Sequence, residues 1–205
     1  MSKERVIVFI DGSNQYHIIK DIIGDADCLS NFEFEKFIRY LVGDRDLIRV
    51  YYYTAPLDKN YIAPKWAKET GQKTYAKQQQ FFEKLKKIPF FSLILCRMQK
   101  GSVEEWECKN CGNKDTKRKY FVKEDDIHLA VDMVKLSYNK AYDTAILVSS
   151  DGDFIPAIKI VKEMGNKVEN IGFERKFSWH LKHECDRYRQ LSDDDVKSFF
   201  SGVQS

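Results

Sequence analysis

Two short runs, Val6–Ile10 and Ala145–Val148, are apolar at every position, and each stops at a polar turn carrying Asp and Gly: VIVFIDGSN near the start and AILVSSDGDF near position 150. Runs this short, with no polar alternation, read as strands covered on both faces, which is the condition of parallel strands between helical layers. Apolar runs alternating with helical patterns confine the chain to an α/β fold, three layers deep, with a central mainly parallel sheet flanked by helices. In an open sheet of this kind ligands bind in the crevice outside the carboxyl ends of the strands. Asp11 and the pair Asp151/Asp153 therefore fall on one rim, and the acidic segment Lys123–Asp126 (KEDD) brings Asp126 toward it.

Carboxylates gathered on one rim repel unless a cation holds them. Hard divalent ions such as Mg²⁺ take oxygen ligands, keep several waters and bind through one or two carboxylates plus substrate phosphates. Taken singly, Asp11 or Asp151 reads better as a helix N-cap or turn residue than as a ligand, because Asp suits both positions. Taken together with Asn14 and Ser149, the set reads as a metal-dependent phosphate site.

The rest of the chain supplies the alternating elements. A helix is expected over Ser13–Ile23. A second, capped by Asn31 and ended by Gly43, carries the stripe Phe32, Phe34, Phe37, Ile38 and Leu41. Leu47–Thr54 reads as a strand whose alternating Tyr51–Tyr53 portion suggests a less buried position, followed by a helix over Lys73–Lys87 and a strand over Phe91–Arg97. Asp125–Asn139 is a helix expected to turn Ile127, Ala130, Val131, Val134, Leu136 and Tyr138 inward. Asp126 sits in its first turn. Asp132, six residues on, points elsewhere at 3.6 residues per turn and is assigned a structural part. Thr144–Val148, a helix over Asp153–Met164 with Pro156 in its first turns, and a last parallel strand over Lys167–Gly172 complete the pattern before one or two tail helices. The domain is expected over 1–191, with 192–205 as a C-terminal helix and tail.

Gln99–Tyr120 breaks this rhythm. It is polar and basic, without helical or strand periodicity, and reads as an insertion at about 99–121. Within it Cys108 and Cys111 are separated by two residues and followed by Gly112, the turn in which two thiolates grip one Zn²⁺. A full tetrahedral site needs two more ligands. These would come from Cys28, Cys96, Cys185, His180 or His183, or from the same knuckle of a second subunit in a homo-oligomer; free thiols or a redox pair are the alternative. Five cysteines at irregular spacing argue against a disulfide framework.

At 205 residues and 43% hydrophobic, the chain can bury a real core. No apolar stretch approaches the roughly 20 residues that span a bilayer, and the chain enters a strand almost at once, so no membrane and a cytoplasmic location are expected. A net charge of +3 says little about partners, but its distribution says more. Between Lys59 and Lys87, eight lysines stand against two glutamates, interleaved with Tyr61, Trp66, Tyr75, Phe81 and Phe82. Such a stretch either tracks a phosphate backbone while stacking bases, or is a solvated helix face over core aromatics.

Three segments, FIDGSNQY, the CKNCG knuckle and KEDDIHLAVDMVKLSYNKAYDTAILVSSDGDFIPAIKIVKEMGNKV, resemble the NYN domain, a branch of the PIN-like metal-dependent nucleases, and in particular its LabA-like members. The resemblance runs from Val6 to about Leu191. It implies a PIN-like, Rossmannoid fold and an acidic pocket that binds Mg²⁺ or Mn²⁺ for RNA cleavage. It carries over Asp11, Asn14, Asp126, Asp151 and Asp153 as the site, with Ser149 as the small polar residue before the last pair. Asp11 and Asp151 would coordinate the principal metal, with Asp126 and Asp153 completing its shell. Where the family commonly has Lys-Gly-Val-Asp, this chain has Lys123-Glu124-Asp125-Asp126, so Glu124 or Asp125 could share the part of Asp126. Ser149, Lys123, Lys73 and Lys77 are the expected RNA contacts; His17 and His128, on helix faces, are structural. The alternative is an RNA-binding or regulatory module with a weak or inactive pocket. A dehalogenase-type phosphatase needs Asp where Ser13 stands, and no GxGxxG or GxxxxGK[ST] motif is present.

Overall fold

The side chains of Val6, Val8 and Ile10 point to one face of the first strand and those of Ile7 and Phe9 to the other, and all five are buried. Each is worth about 1.5–3 kcal/mol relative to exposure, so this strand can only lie between two helical layers. The structure, a computed structural model of the chain, describes residues 3–24, 28–57, 71–107, 112 and 114–201. Its elements are β1 (Arg5–Asp11), α1 (Gly12–Ile23), α2 (Phe34–Val42), β2 (Asp46–Thr54), α3 (Gly71–Lys86), β3 (Phe91–Leu95), β4 (Arg97–Glu107), β5 (Lys114–Lys123), α4 (Asp125–Tyr138), β6 (Thr144–Val148), α5 (Ile155–Glu163), β7 (Lys167–Phe173), α6 (Trp179–Glu184), β8 (Arg187–Leu191) and α7 (Asp193–Ser198). Six strands form one parallel sheet in the order β3-β2-β1-β6-β7-β8. The order reverses beside β1, so the crevice at its carboxyl end, between β1 and β6, is the switch point at which open α/β sheets bind ligands.

Two cores fill the two faces. One packs α1, α2, α3 and α7 against Val6, Val8, Ile10 and Tyr52. The other packs α4, α5 and α6 against Ile7, Phe9, Tyr53 and Leu147. Helix α7 seals the first core: Phe199 lies edge-on to Phe37, and Phe32 bridges to Phe200.

Several expectations are corrected. Helix α2 is preceded by Glu33, not capped by Asn31, which sits outside it in the turn that meets the C-terminal segment. Tyr52 and Tyr53 are fully buried, because β2 is an inner strand covered on both faces. Helix α4 buries Asp125, Leu129, Met133 and Ser137, a strict i, i+4 stripe, and leaves Ile127, Val131 and Tyr138 exposed. Lys167–Phe173 is not the last parallel strand, since β8 pairs with it from the edge. The insertion is regular: β4 and β5 form an antiparallel hairpin separate from the main sheet. Its knuckle residues Cys108 and Cys111 lie outside the described residues, as does most of Lys59–Gly71. Among the described residues no helix is long and apolar enough to cross a membrane.

Candidate metal centre

Asp11 is both cap and candidate ligand. Its Oδ1 accepts the Asn14 backbone N–H at 2.9 Å, fixing the start of α1. Its Oδ2 accepts the Ser149 hydroxyl at 2.9 Å across 138 residues of sequence. Each oxygen keeps a further lone pair, so the cap role does not exclude a metal. Ser149 is wholly buried; its Oγ also accepts the Asp151 N–H at 3.1 Å. That hydroxyl therefore positions two acids and does not face RNA. Asn14 ties the two strand ends together as well, its Oδ1 accepting the Ser150 N–H at 3.2 Å. From β7, Asn170 donates to the carbonyls of Leu147 and Ser149 at 3.0 and 2.9 Å, holding the end of β6 in place.

The third side of the site comes from α4. Glu124 has a left-handed backbone, φ 76°, immediately before the helix. It stands where the resemblance puts a glycine, the residue for which that conformation costs least. The turn sends Asp125 inward, where it is 8% exposed and its Oδ2 accepts the Ser13 hydroxyl at 2.9 Å. Asp125 and Asp126 then meet Asp11: one carboxylate oxygen from each lies within 4.8 Å of the others. Of the expected acids, Asp11 and Asp126 are brought together. Asp151 caps a short 3-10 turn, accepting the Asp153 N–H at 2.9 Å, and Asp153 is exposed; both sit beside the trio and act on Asp126 through their charge. Asp132 is spent on the Tyr53 hydroxyl at 3.0 Å.

Among the described residues the trio's charges add up against one another. Burial pushes the Asp11 carboxyl up to about 7, against the opposing hydrogen bonds from Asn14 and Ser149. Asp126 is pushed up to about 6 by burial, then by Asp125, Asp151 and Asp153. Three oxygens this close, with no basic side chain of the described residues among the charges acting on Asp11 or Asp126, are a hard-cation donor set.

Ser13 and Asn170 are not singled out as site residues by the sequence, and Asp125 stands there only as an alternative to Asp126. The signals are present but weak: a second acid beside Asp126, a Ser two residues after Asp11, and an Asn inside the apolar strand KVENIGF. Lys123 is exposed at the end of β5, and Lys73 and Lys77 lie on α3. No cysteine–histidine group gathers among the described residues. Cys96 and Cys185 are buried thiols, pushed up by burial to about 11 and about 12.

A parallel sheet with a carboxylate trio at its switch point is the architecture of a PIN-like α/β domain. The chain belongs to the NYN domain family, whose profile matches residues 5–192, and that family is PIN-like and nuclease in kind. Among curated relatives, the low amplitude and bright protein LabA of Synechococcus elongatus is 22% identical over 98% of this chain and 89% of its own length. An uncharacterised protein of Methanocaldococcus jannaschii is 39% identical over 34% of this chain, a match that spans only 29% of that protein. A crystal structure of a Vibrio parahaemolyticus protein of unknown function shares the fold, with a TM-score of 0.61 at 21% identity over 94% of this chain and 95% of that one.

Proposed function

We propose that this protein is a ribonuclease that hydrolyses RNA phosphodiester bonds with Mg²⁺ or Mn²⁺ held by Asp11, Asp125 and Asp126. The observation that carries this reading is the trio itself: a 4%-exposed aspartate with two more carboxylates within 4.8 Å, inside a fold whose family is nuclease-like. A divalent ion bound there would polarise the phosphate and lower the pKa of a bound water toward neutrality. The chain's own residues prepare that chemistry. Ser149 and the Asn14 amide orient Asp11, leaving outward lone pairs in a fixed direction. Ser13 does the same for Asp125. Asp151, tied to Ser149 through its amide, places a further carboxylate at the rim, where it can hold a water or complete an ion's shell. Lys123, Lys73 and Lys77 would offset the charge of an approaching RNA backbone.

The test is cleavage of end-labelled single-stranded and structured RNA in Mn²⁺, Mg²⁺ or EDTA, wild type against Asp151→Asn and Asp125→Asn. Metal-dependent cleavage lost in the variants supports the reading. RNA retained with no cleavage under any condition would replace it with an RNA-binding module.

A further inference from the structure

Beside the carboxylates, between α1 and α3, lies a cavity of about 310 Å³. Tyr16, Tyr52, Phe81 and Phe82 supply aromatic walls, and Gly12 and Ser13 form the edge nearest Asp11. Ser13 is the residue whose hydroxyl holds Asp125, so cavity and carboxylate trio share a wall one residue thick. The wall is thin because Gly12 has no side chain. A Cβ there would run into the Tyr52 ring and the Tyr53 carbonyl, and the Tyr52 hydroxyl lies 3.5 Å from the Gly12 carbonyl.

Size and lining decide what fits. Ligand pockets span roughly 300–1,000 Å³; this one is at the small end, with room for a single nucleoside and not for a helix of paired strands. Aromatic walls suit a flat ring. Gln78 adds edge recognition: its carbonyl accepts the Leu57 N–H at 2.6 Å and its amino group donates to the Ala55 carbonyl at 3.2 Å. Those bonds fix the amide while leaving one N–H and one lone pair, the donor–acceptor pattern with which Gln reads a base edge.

We propose that this cavity receives one unpaired nucleobase of an RNA strand whose neighbouring phosphate lies over the carboxylate trio. The inference rests on the ribonuclease reading and makes the substrate class single-stranded RNA, because a base held in a duplex cannot enter without being unstacked. The probe is a ten-nucleotide RNA carrying one 2-aminopurine, whose fluorescence is quenched when the base stacks on an aromatic ring. It is titrated with wild type and with Thr74→Trp, which puts an indole into the cavity that Thr74 lines from α3, each checked for folding by circular dichroism and for metal binding by the Mn²⁺-induced shift in Tm.

Wild type is expected to quench the probe. Thr74→Trp is expected to bind it roughly 5- to 100-fold more weakly, the worth of one stacked base, and without quenching. The same RNA annealed to its complement should bind more weakly to wild type, a comparison needing no variant. Equal quenching by Thr74→Trp, or equal affinity for the duplex, overturns the proposal. Metal-dependent cleavage by wild type without quenching also overturns it while leaving the nuclease reading in place. Quenching that Thr74→Trp abolishes, with no cleavage at all, keeps the base site and removes the nuclease.

Discussion

Asp11 and Glu169 are both nearly withdrawn from water, at 4% and 8% exposure, yet the protein treats their charges in opposite ways. Glu169, near the start of β7, accepts both terminal nitrogens of Arg45 at 2.9 and 3.2 Å, with Arg187 and Arg189 at 3.7 and 3.9 Å. Asp11, at the carboxyl end of β1, has a hydroxyl, an amide and two more acids. A buried carboxylate with guanidinium partners is part of the scaffold; one surrounded by its own kind stores unfavourable electrostatic energy that a cation would relieve. The difference separates a structural ion cluster from a candidate metal centre where composition cannot, since both are acids in apolar surroundings.

The largest test of that distinction is Asp11→Asn. It should lower metal-dependent RNA cleavage by more than about 100-fold, since even outer-shell partners of a metal commonly cost 10–100-fold. It should also raise the Tm of the metal-free protein by removing a charge that burial opposes. A fall in Tm comparable to that of a core deletion would place Asp11 with Glu169 as scaffold. Next, Arg45→Met strips Glu169 of its nearest partner and should destabilise by about 3 kcal/mol in urea titration, at the low end for a broken buried pair because Arg187 and Arg189 remain nearby. RNA cleavage per folded molecule should not change.

The pH dependence is of comparable size and is spread over several pH units. The folded Asp11 carboxyl lies up at about 7, against roughly 3.9 in an unfolded chain. Between those values the folded state binds the extra proton, so this group's contribution is fully present below about pH 4 and is lost as pH rises through 7. Asp126, raised to about 6, works in the same direction. Without metal, wild type should therefore lose stability relative to Asp11→Asn as pH rises from 4 to 7.5, by a few kcal/mol at most, and saturating Mn²⁺ should abolish that relative loss. Smallest is Ser149→Ala: freeing Asp11 Oδ2 should weaken Mn²⁺ binding about 10-fold, read by calorimetry, with a modest change in Tm.

How much was legible follows from what each element must do. The inner strands announce themselves because burial on both faces leaves no polar position, and the acids at their ends stand out by contrast. Edge strand β8, RYRQL, turns Arg187 and Arg189 toward the buried Glu169 of β7, and so carries no apolar run. The hairpin hid for a similar reason: apart from the main sheet, β4 and β5 lack an apolar stripe. Helix α4 misled in the opposite direction. Ile127, Leu129, Val131, Met133, Val134 and Leu136 put apolar groups around its whole girth, so periodicity could not choose between the stripe through Leu129 and Met133 and the one through Ile127 and Val131. In the site, Asp11 and Asp126 were readable as strand-end and helix-start acids, while Asp125 was left as an alternative. What brings Asp125 in is the left-handed turn at Glu124, a backbone state that a glutamate does not advertise.

The bond between Ser149 and Asp11 closes a loop of 138 residues, and that between Ser13 and Asp125 one of 112. During synthesis Asp11 and its local cap Asn14 emerge together, but Ser149, which holds the other carboxylate oxygen, follows 138 residues later. Until β6 docks beside β1, the aspartate is one solvated acid among many. Whatever chemistry the centre performs is thus withheld until β6 pairs with β1, because the site is assembled by the same long-range closure that joins the two halves of the sheet.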